Sequence, residues 1–187
     1  MFSKFRWLGW FIGIIVISLF LGRLSFISGQ AAEANGETVY LPLVSRPETT
    51  PTPVPSFEER VVELTNQERE ANGCSPVTME PRLQAAAEGH SADMALNDFF
   101  SHTGSNGSSP WDRIHAQGYS YSRAGENIAA GYSTPESVVT GWMNSDGHRA
   151  NILNCSFVHI GVGYYYLQND PGSVRYRHYW TQVFASP

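Results

Sequence analysis

The chain has 187 residues, with 12 Lys and Arg against 17 Asp and Glu for a formal net charge of -5, 42% hydrophobic residues and two cysteines. That length suits one domain with an adequate core. Phosphate-backbone binding to nucleic acid, which needs clustered basic side chains, is excluded, as are a four-cysteine zinc site and a dense disulfide scaffold.

Lys4 and Arg6 precede the uncharged apolar run Trp7 to Gly22, which Arg23 separates from a second apolar patch, LSFISG. This is the layout of an export segment. At about 1.5 Å per residue the run covers about 24 Å of a roughly 30 Å hydrocarbon core. Extension to Gly29 with Arg23 snorkelling would span the bilayer, whereas small residues at Ala32 and Ala34 offer a cleavage point. Residues 1–34 therefore read as a signal peptide or a retained N-terminal anchor. The rest of the chain is expected to be secreted or held on the outer face of the cytoplasmic membrane. Residues 35–56 form a linker: VYLPLV (39–44), to which no role is assigned, then prolines at 47, 51, 53 and 55 that favour an extended polyproline spacer.

The globular domain, 57–187, carries fourteen acidic and eight basic side chains, the latter all arginine. Ser56 and Glu59 make a capping box at the head of a helix that runs to about Ala71 and stops at Asn72-Gly73. A second helix follows Pro81, with Leu83, Ala86, Ala87, His90 and Met94 on one face. Ser109-Pro110 opens a short third helix to about Gln117, ended by Gly118. Thr134-Pro135 opens a fourth with Val138, Val139 and Trp142, and Ser145 to Leu153 makes a further turn or short helix. The period then changes. Phe157 to Leu167 and Val174 to Ala185 alternate about the turn Asn169-Asp170-Pro171-Gly172, which predicts a β-hairpin. Helices followed by a hairpin predict an α+β fold, with helices packed on a small antiparallel sheet. In an exported protein Cys74 and Cys155 read as one disulfide.

No HExxH metalloprotease motif, nucleophile elbow, phosphate loop, dinucleotide fingerprint or EF-hand loop occurs. What remains is His102 in FFSHTG, Glu126 in AGENIAAGY and His148 in WMNSDGHRANIL, all in turn-rich stretches. Imidazoles in such places can bind metals or titrate near neutrality. Each residue also has a structural reading: His102 as a helix-capping loop residue, Glu126 as an acceptor for turn amides, His148 as a solvated side chain. His90 reads as a core histidine, His115 has no evident partner, and Tyr164, Tyr165 and Tyr166 read as core packing combined with a solvated face.

FFSHTG (99–104), AGENIAAGY (124–132), GWMNSDGHRANILN (141–154), IGVGYYY (160–166) and YWTQVFA (179–185) occur in this order. Together they resemble the bacterial branch of the CAP superfamily: cysteine-rich secretory proteins, antigen 5 and pathogenesis-related 1 proteins. The resemblance implies a three-layer α-β-α sandwich, an extracellular setting and a large open cleft. In eukaryotic members two histidines and two glutamates converge in that cleft and can bind a divalent cation such as zinc. His102 matches the first histidine and Glu126 the glutamate of the GEN motif. The second glutamate position, three residues after Trp142, holds Ser145, and the second histidine position holds Tyr179. His178 is one residue away and faces the other side of its strand. The resemblance therefore assigns His102, Glu126 and His148 to the cleft, with Asn127 and with Tyr179 as a polar wall. His102 and His148 as ligands, with Glu126 as third ligand or general base, would suit zinc with one position left for water. No cofactor is required otherwise.

Three functions fit: a non-enzymatic binding module for a small apolar molecule, lipid or cell-envelope component; a metal-dependent, peptidase-like hydrolase using His102, Glu126 and His148; and an extracellular adhesion module. The domain is expected to be monomeric, to bind no nucleic acid, and to meet the membrane only through an uncleaved N-terminal segment.

Overall fold

A computed structural model describes residues 54–187. The expected signal or anchor (1–34), and the linker as far as residue 53 with its VYLPLV segment, lie outside the described residues. Among the described residues no helix is long and apolar enough to cross a membrane.

Five helices and four strands follow in the order α1 (Phe57–Ala71), β1 (Thr78–Met79), α2 (Pro81–Leu96), α3 (Pro110–Ala116), β2 (Arg123–Ala130), α4 (Pro135–Met143), α5 (Asp146–Ile152), β3 (His159–Tyr166) and β4 (His178–Ser186), counted among the described residues. The helices begin where their caps require. Ser56 Oγ accepts from the Glu59 N–H at 3.1 Å while the Glu59 carboxylate accepts from the Ser56 N–H at 2.8 Å. The same reciprocal box opens α3 at Ser109 and Asp112 and α4 at Thr134 and Ser137.

The sheet has the order β1-β3-β4-β2. β4 pairs antiparallel with β3, as the hairpin pattern predicts, and also with β2, while β1 joins β3 in parallel, so the sheet is mixed rather than purely antiparallel. β2 carries the GEN motif, whose Glu126 between Gly125 and Asn127 reads from sequence as part of a turn. Continuous pairing from Arg123↔Ser186 to Ala130↔Tyr179 makes it a strand. Tertiary pairing overrides weak local propensity here.

Alternation along β4 sorts the three layers. Trp180 and Phe184 pack with Val61, Val138, Trp142 and Ile152 of α1, α4 and α5. Val183 and Ala185 pack with Leu83, Ala87 and Ile114 of α2 and α3 on the other side. The layer of α2 lies close because β3 presents glycines to it. A Cβ at Gly161 would overlap the backbone of Leu83 and Gln84, and one at Gly163 that of Ala87 and Glu88.

β4 starts at His178 rather than at Val174. Asp98, itself at φ 56, accepts from the N–H groups of Ser173 and Val174 at 2.8 Å each, which removes both amides from the ladder. Asp170 accepts from the Arg177 N–H at 2.9 Å. The connection between β3 and β4 is thereby folded back over the molecule.

The disulfide joins Cys74 to Cys155 across a sequence separation of 81, linking the end of α1 to the segment after α5. Chain entropy alone puts its stabilisation at up to about 4.5 kcal/mol. Arg69 is fully buried beside it and donates to the carbonyls of Ser75, Ile152, Asn154 and Phe157 at 2.7–3.0 Å. One guanidinium thus satisfies the end of α5 and the turn before β3.

Two glycine substitutions are expected to act in opposite directions in urea denaturation. Gly163→Ala forces α2 off the sheet and should cost about 1–3 kcal/mol. Gly89→Ala, in the exposed middle of α2 with nothing within 4 Å of the new methyl, should stabilise by about 0.5–1 kcal/mol. Equal effects of the two would contradict the close approach of helix and sheet.

Candidate functional site

A cleft of about 580 Å³ is lined by the end of β2, by α4 and the start of α5, by residues 100–102 after α2, and by Tyr176 from the folded-back connection. One part of its wall is apolar or aromatic: Phe100, Ile128, Ala129, Tyr132, Trp142 and Tyr176. The polar part is Ser101, His102, Ser145 and His148. No carboxylate is among these lining residues, although acidic side chains outnumber basic ones in the domain.

Two of the expected residues meet directly. His102 Nδ1 lies 2.7 Å from Glu126 Oε1. Glu126 points from β2 toward the α2 and α3 layer, and its other oxygen accepts from Arg113 of α3 at 2.8 Å. The Glu126 side chain is 2% exposed and Arg113 13%, whereas His102 is 52% exposed. The ion pair is therefore buried behind an imidazole that faces the cleft. Arg113 also donates to the His102 carbonyl and to the Ser108 carbonyl, both at 3.0 Å, so it holds the loop as well as the carboxylate. Sequence reasoning missed Arg113: an arginine on a short helix carries no motif signal.

His148 lines the same cleft. Burial, and then the nearby His102, push its pKa below the ordinary histidine value. Its carbonyl accepts from Asn127 Nδ2 at 3.2 Å. Asn127 is fully buried and lines no part of the cleft. Its side chain accepts from Asn151 and donates to Gln182, which in turn donates to Thr65, each at 2.8–2.9 Å. This relay fastens α5 and α1 to the sheet and so fixes where His148 stands. Gly125 leaves room for it, since a Cβ there would sit 2.9 Å from Asn151 Oδ1.

Tyr179 is not a cleft wall. It is fully buried among Met94, Ala95 and Ile128, and its hydroxyl donates to Asp170 at 2.7 Å. Burial and that carboxylate push its pKa up to about 12. Its role is to clamp the connection before β4. His178, on the opposite side of the strand, meets the Tyr164 hydroxyl at 2.8 Å.

Of the two roles expected of Glu126, third zinc ligand or general base, the ligand role needs a free oxygen, but both oxygens are already engaged, by His102 and Arg113. Among the described residues no three His, Cys, Asp or Glu side chains gather where they could hold a metal ion. The present arrangement falls short of a three-ligand zinc site. Glu126 stands behind His102 as its orienting partner.

His90 supports the loop from below. It is fully buried, its Nε2 lies 2.9 Å from the Ser101 carbonyl, and its Nδ1 has no partner among the described residues. A carbonyl only accepts, so Nε2 carries a proton, and burial disfavours a second one on Nδ1.

A family model described as the cysteine-rich secretory protein family, CAP, matches residues 62–184. The uncharacterized protein YkwD of Bacillus subtilis is 46% identical over 136 residues, which are 73% of this chain and 49% of that protein. The uncharacterized membrane protein YlbC of the same organism is 38% identical over 115 residues, 60% of this chain and 33% of that one. The chain thus spans about half or less of the length of these relatives. An extracellular SCP-domain protein of Bacillus anthracis superposes with a TM-score of 0.62 at 32% identity, over 70% of this chain and 40% of its own. An outer surface protein of Borrelia burgdorferi superposes with a TM-score of 0.60 at 20% identity, over 67% of this chain and 89% of its own.

Burial holds the pKa of His90 below the ordinary histidine value, and His148 and His178 shift the same way for the same first cause. The unfolded chain takes up these protons near pH 6.5, while the folded chain resists them to lower pH. The contribution is complete above about pH 6.5 and is lost as pH falls below it. The urea midpoint is therefore expected to fall between about pH 7.5 and 5.5, less steeply in His90→Gln. A midpoint that is flat or rises on acidification would contradict this.

Proposed function

Because the chain belongs to the cysteine-rich secretory protein (CAP) family, we propose that it is an extracytoplasmic binding module whose cleft takes a small apolar molecule, lipid or cell-envelope component. The carrying observation is the cleft itself: about 580 Å³, with aromatic and aliphatic side chains along one part of its wall. Small-molecule sites occupy roughly 300–1,000 Å³ and are lined mainly by apolar side chains around a few polar groups. At the mouth, Phe100 and Tyr176 are 42% and 46% exposed and meet edge to face at 5.8 Å. Exposed aromatics grouped at one opening mark a contact surface more strongly than the same residues scattered. The basic flank and apolar run at residues 4–22 support export, and the names of the solved relatives agree with an extracytoplasmic setting.

The hydrolase reading has one observation in its favour, an imidazole oriented by a carboxylate. Such a ring can serve as general base. Against it, no serine hydroxyl in the wall bonds an imidazole among the described residues. Zinc titration with His102→Ala and His148→Ala tests its metal-dependent form: saturable binding lost in both variants would revive that reading.

Displacement of the neutral fluorophore N-phenyl-1-naphthylamine tests the binding module. Saturable binding is expected, weakened about fivefold or more in Phe100→Ala with Tyr176→Ala, since each truncation removes apolar contact worth about 1 kcal/mol or more. No saturable binding, or an affinity indifferent to both truncations, would overturn it.

A further inference from the structure

We propose that the back wall of the cleft is an open sheet edge and that its ligand is an uncharged, extended peptide segment, added beside β2 as a further strand. This peptide site rests on the cleft being a ligand site and names the class of ligand.

The hydrogen bonds of β2 fix which way its backbone faces. β2 is the last strand in the order β1-β3-β4-β2, so only one of its sides has a strand beside it. The Gly131 N–H donates to the His178 carbonyl at 2.9 Å, which makes Gly131 opposite His178 a hydrogen-bonded pair. Such pairs alternate along antiparallel strands. The backbone groups of Asn127 and Ala129 therefore turn toward β4, while those of Glu126, Ile128 and Ala130 turn outward. Two side chains agree with this direction: the Glu126 carbonyl accepts from Asn151 at 3.2 Å and the Ile128 carbonyl from the Trp142 indole at 3.3 Å.

Those two bonds close the edge only as far as the Ile128 carbonyl. The Ile128 N–H and both backbone groups of Ala130 have no hydrogen-bond partner among the described residues. Both residues line the cleft, Ile128 with only 5% of its surface exposed. Buried backbone groups are otherwise almost always paired, and an open edge is a template for another strand. A peptide residue opposite Ala130 would donate to its carbonyl and accept from its N–H, and a peptide carbonyl two residues along would accept from Ile128.

The surroundings set the remaining chemistry. No carboxylate, lysine or arginine is among the lining residues, which disfavours charged side chains and free termini. Side chains of an added strand alternate between the two faces of the sheet. One face carries Trp142 of α4 and the other Phe100 after α2, so both sets meet aromatic surface. A hydrocarbon chain fills the same space but leaves the three backbone groups unpaired. Each desolvated polar group left unpaired costs enough to weaken binding about fivefold or more.

The test is displacement of N-phenyl-1-naphthylamine from the exported protein by acetyl-Val-Phe-Val-methylamide, by the same peptide N-methylated at every amide, and by methyl decanoate. The N-methylated peptide is the more apolar of the two but has no N–H to give, so a purely hydrophobic cleft would bind it at least as well. The unmodified peptide is expected to bind about fivefold or more tighter than either competitor. At saturation it should slow amide hydrogen exchange at Ile128 and Ala130, read by NMR, about tenfold or more and leave Ala129 unchanged. Ala130→Pro removes a donor from the outward side, where an edge strand tolerates proline, and should erase the preference while both peptides still bind. A bound probe that the unmodified peptide does not displace, equal or tighter binding of the N-methylated peptide or methyl decanoate, or unchanged exchange at Ile128 and Ala130 would overturn the strand-edge site and leave the binding module standing. Failure of the probe and of all three compounds to bind would overturn both.

Discussion

The cleft depends on one buried ion pair, Arg113 with Glu126 at 2.8 Å. A carboxylate almost wholly removed from water costs several kcal/mol unless it is paired, and the one cation of β2, Arg123, stands three residues away and so on the opposite face of the strand. α3 supplies the guanidinium. The same guanidinium reaches the carbonyls of His102 and Ser108, so charge compensation and loop placement are one event. His102 then has one available arrangement, with its ring anchored to the carboxylate and its other nitrogen facing outward.

The rest of the fold brings the opposing wall to this point. Close packing of α2 on Gly161 and Gly163 sets the level from which residues 100–102 emerge. On the other side of the sheet, the chain of amides from Thr65 through Gln182, Asn127 and Asn151 locks α5 against β2. Arg69 and the Cys74–Cys155 bridge hold the exit from α5. His102 and His148 belong to different layers, one following α2 and one on α5, and only these supports beneath them make the two imidazoles share a cleft. Such buried polar networks fix geometry when every member is satisfied.

Much of this was legible in the sequence, for reasons that differ by element. The helices announced themselves because Ser56, Ser109 and Thr134 cap them locally, and local chemistry is what a sequence displays. β2 did not, because Arg123 to Ala130 becomes a strand only through its pairing with β4. Val174 looked like strand, but its amide is taken by Asp98 from 76 residues away. His102, Glu126 and His148 were found through motif resemblance. Asn127 and Tyr179, carried along with them, proved to be buried supports. Arg113 gave no signal at all, since its meaning lies in a carboxylate 13 residues further on and on a different element.

The geometry of the cleft turns on the orientation of one ring: Glu126, held by Arg113, accepts from His102 Nδ1–H. Long-range proton–nitrogen correlation NMR of the histidine rings at neutral pH reads this directly. His102 is expected to be the Nδ1–H tautomer in the wild type and to lose that bias in Arg113→Met. A wild-type His102 protonated on Nε2, or one whose tautomer is indifferent to Arg113, would contradict it.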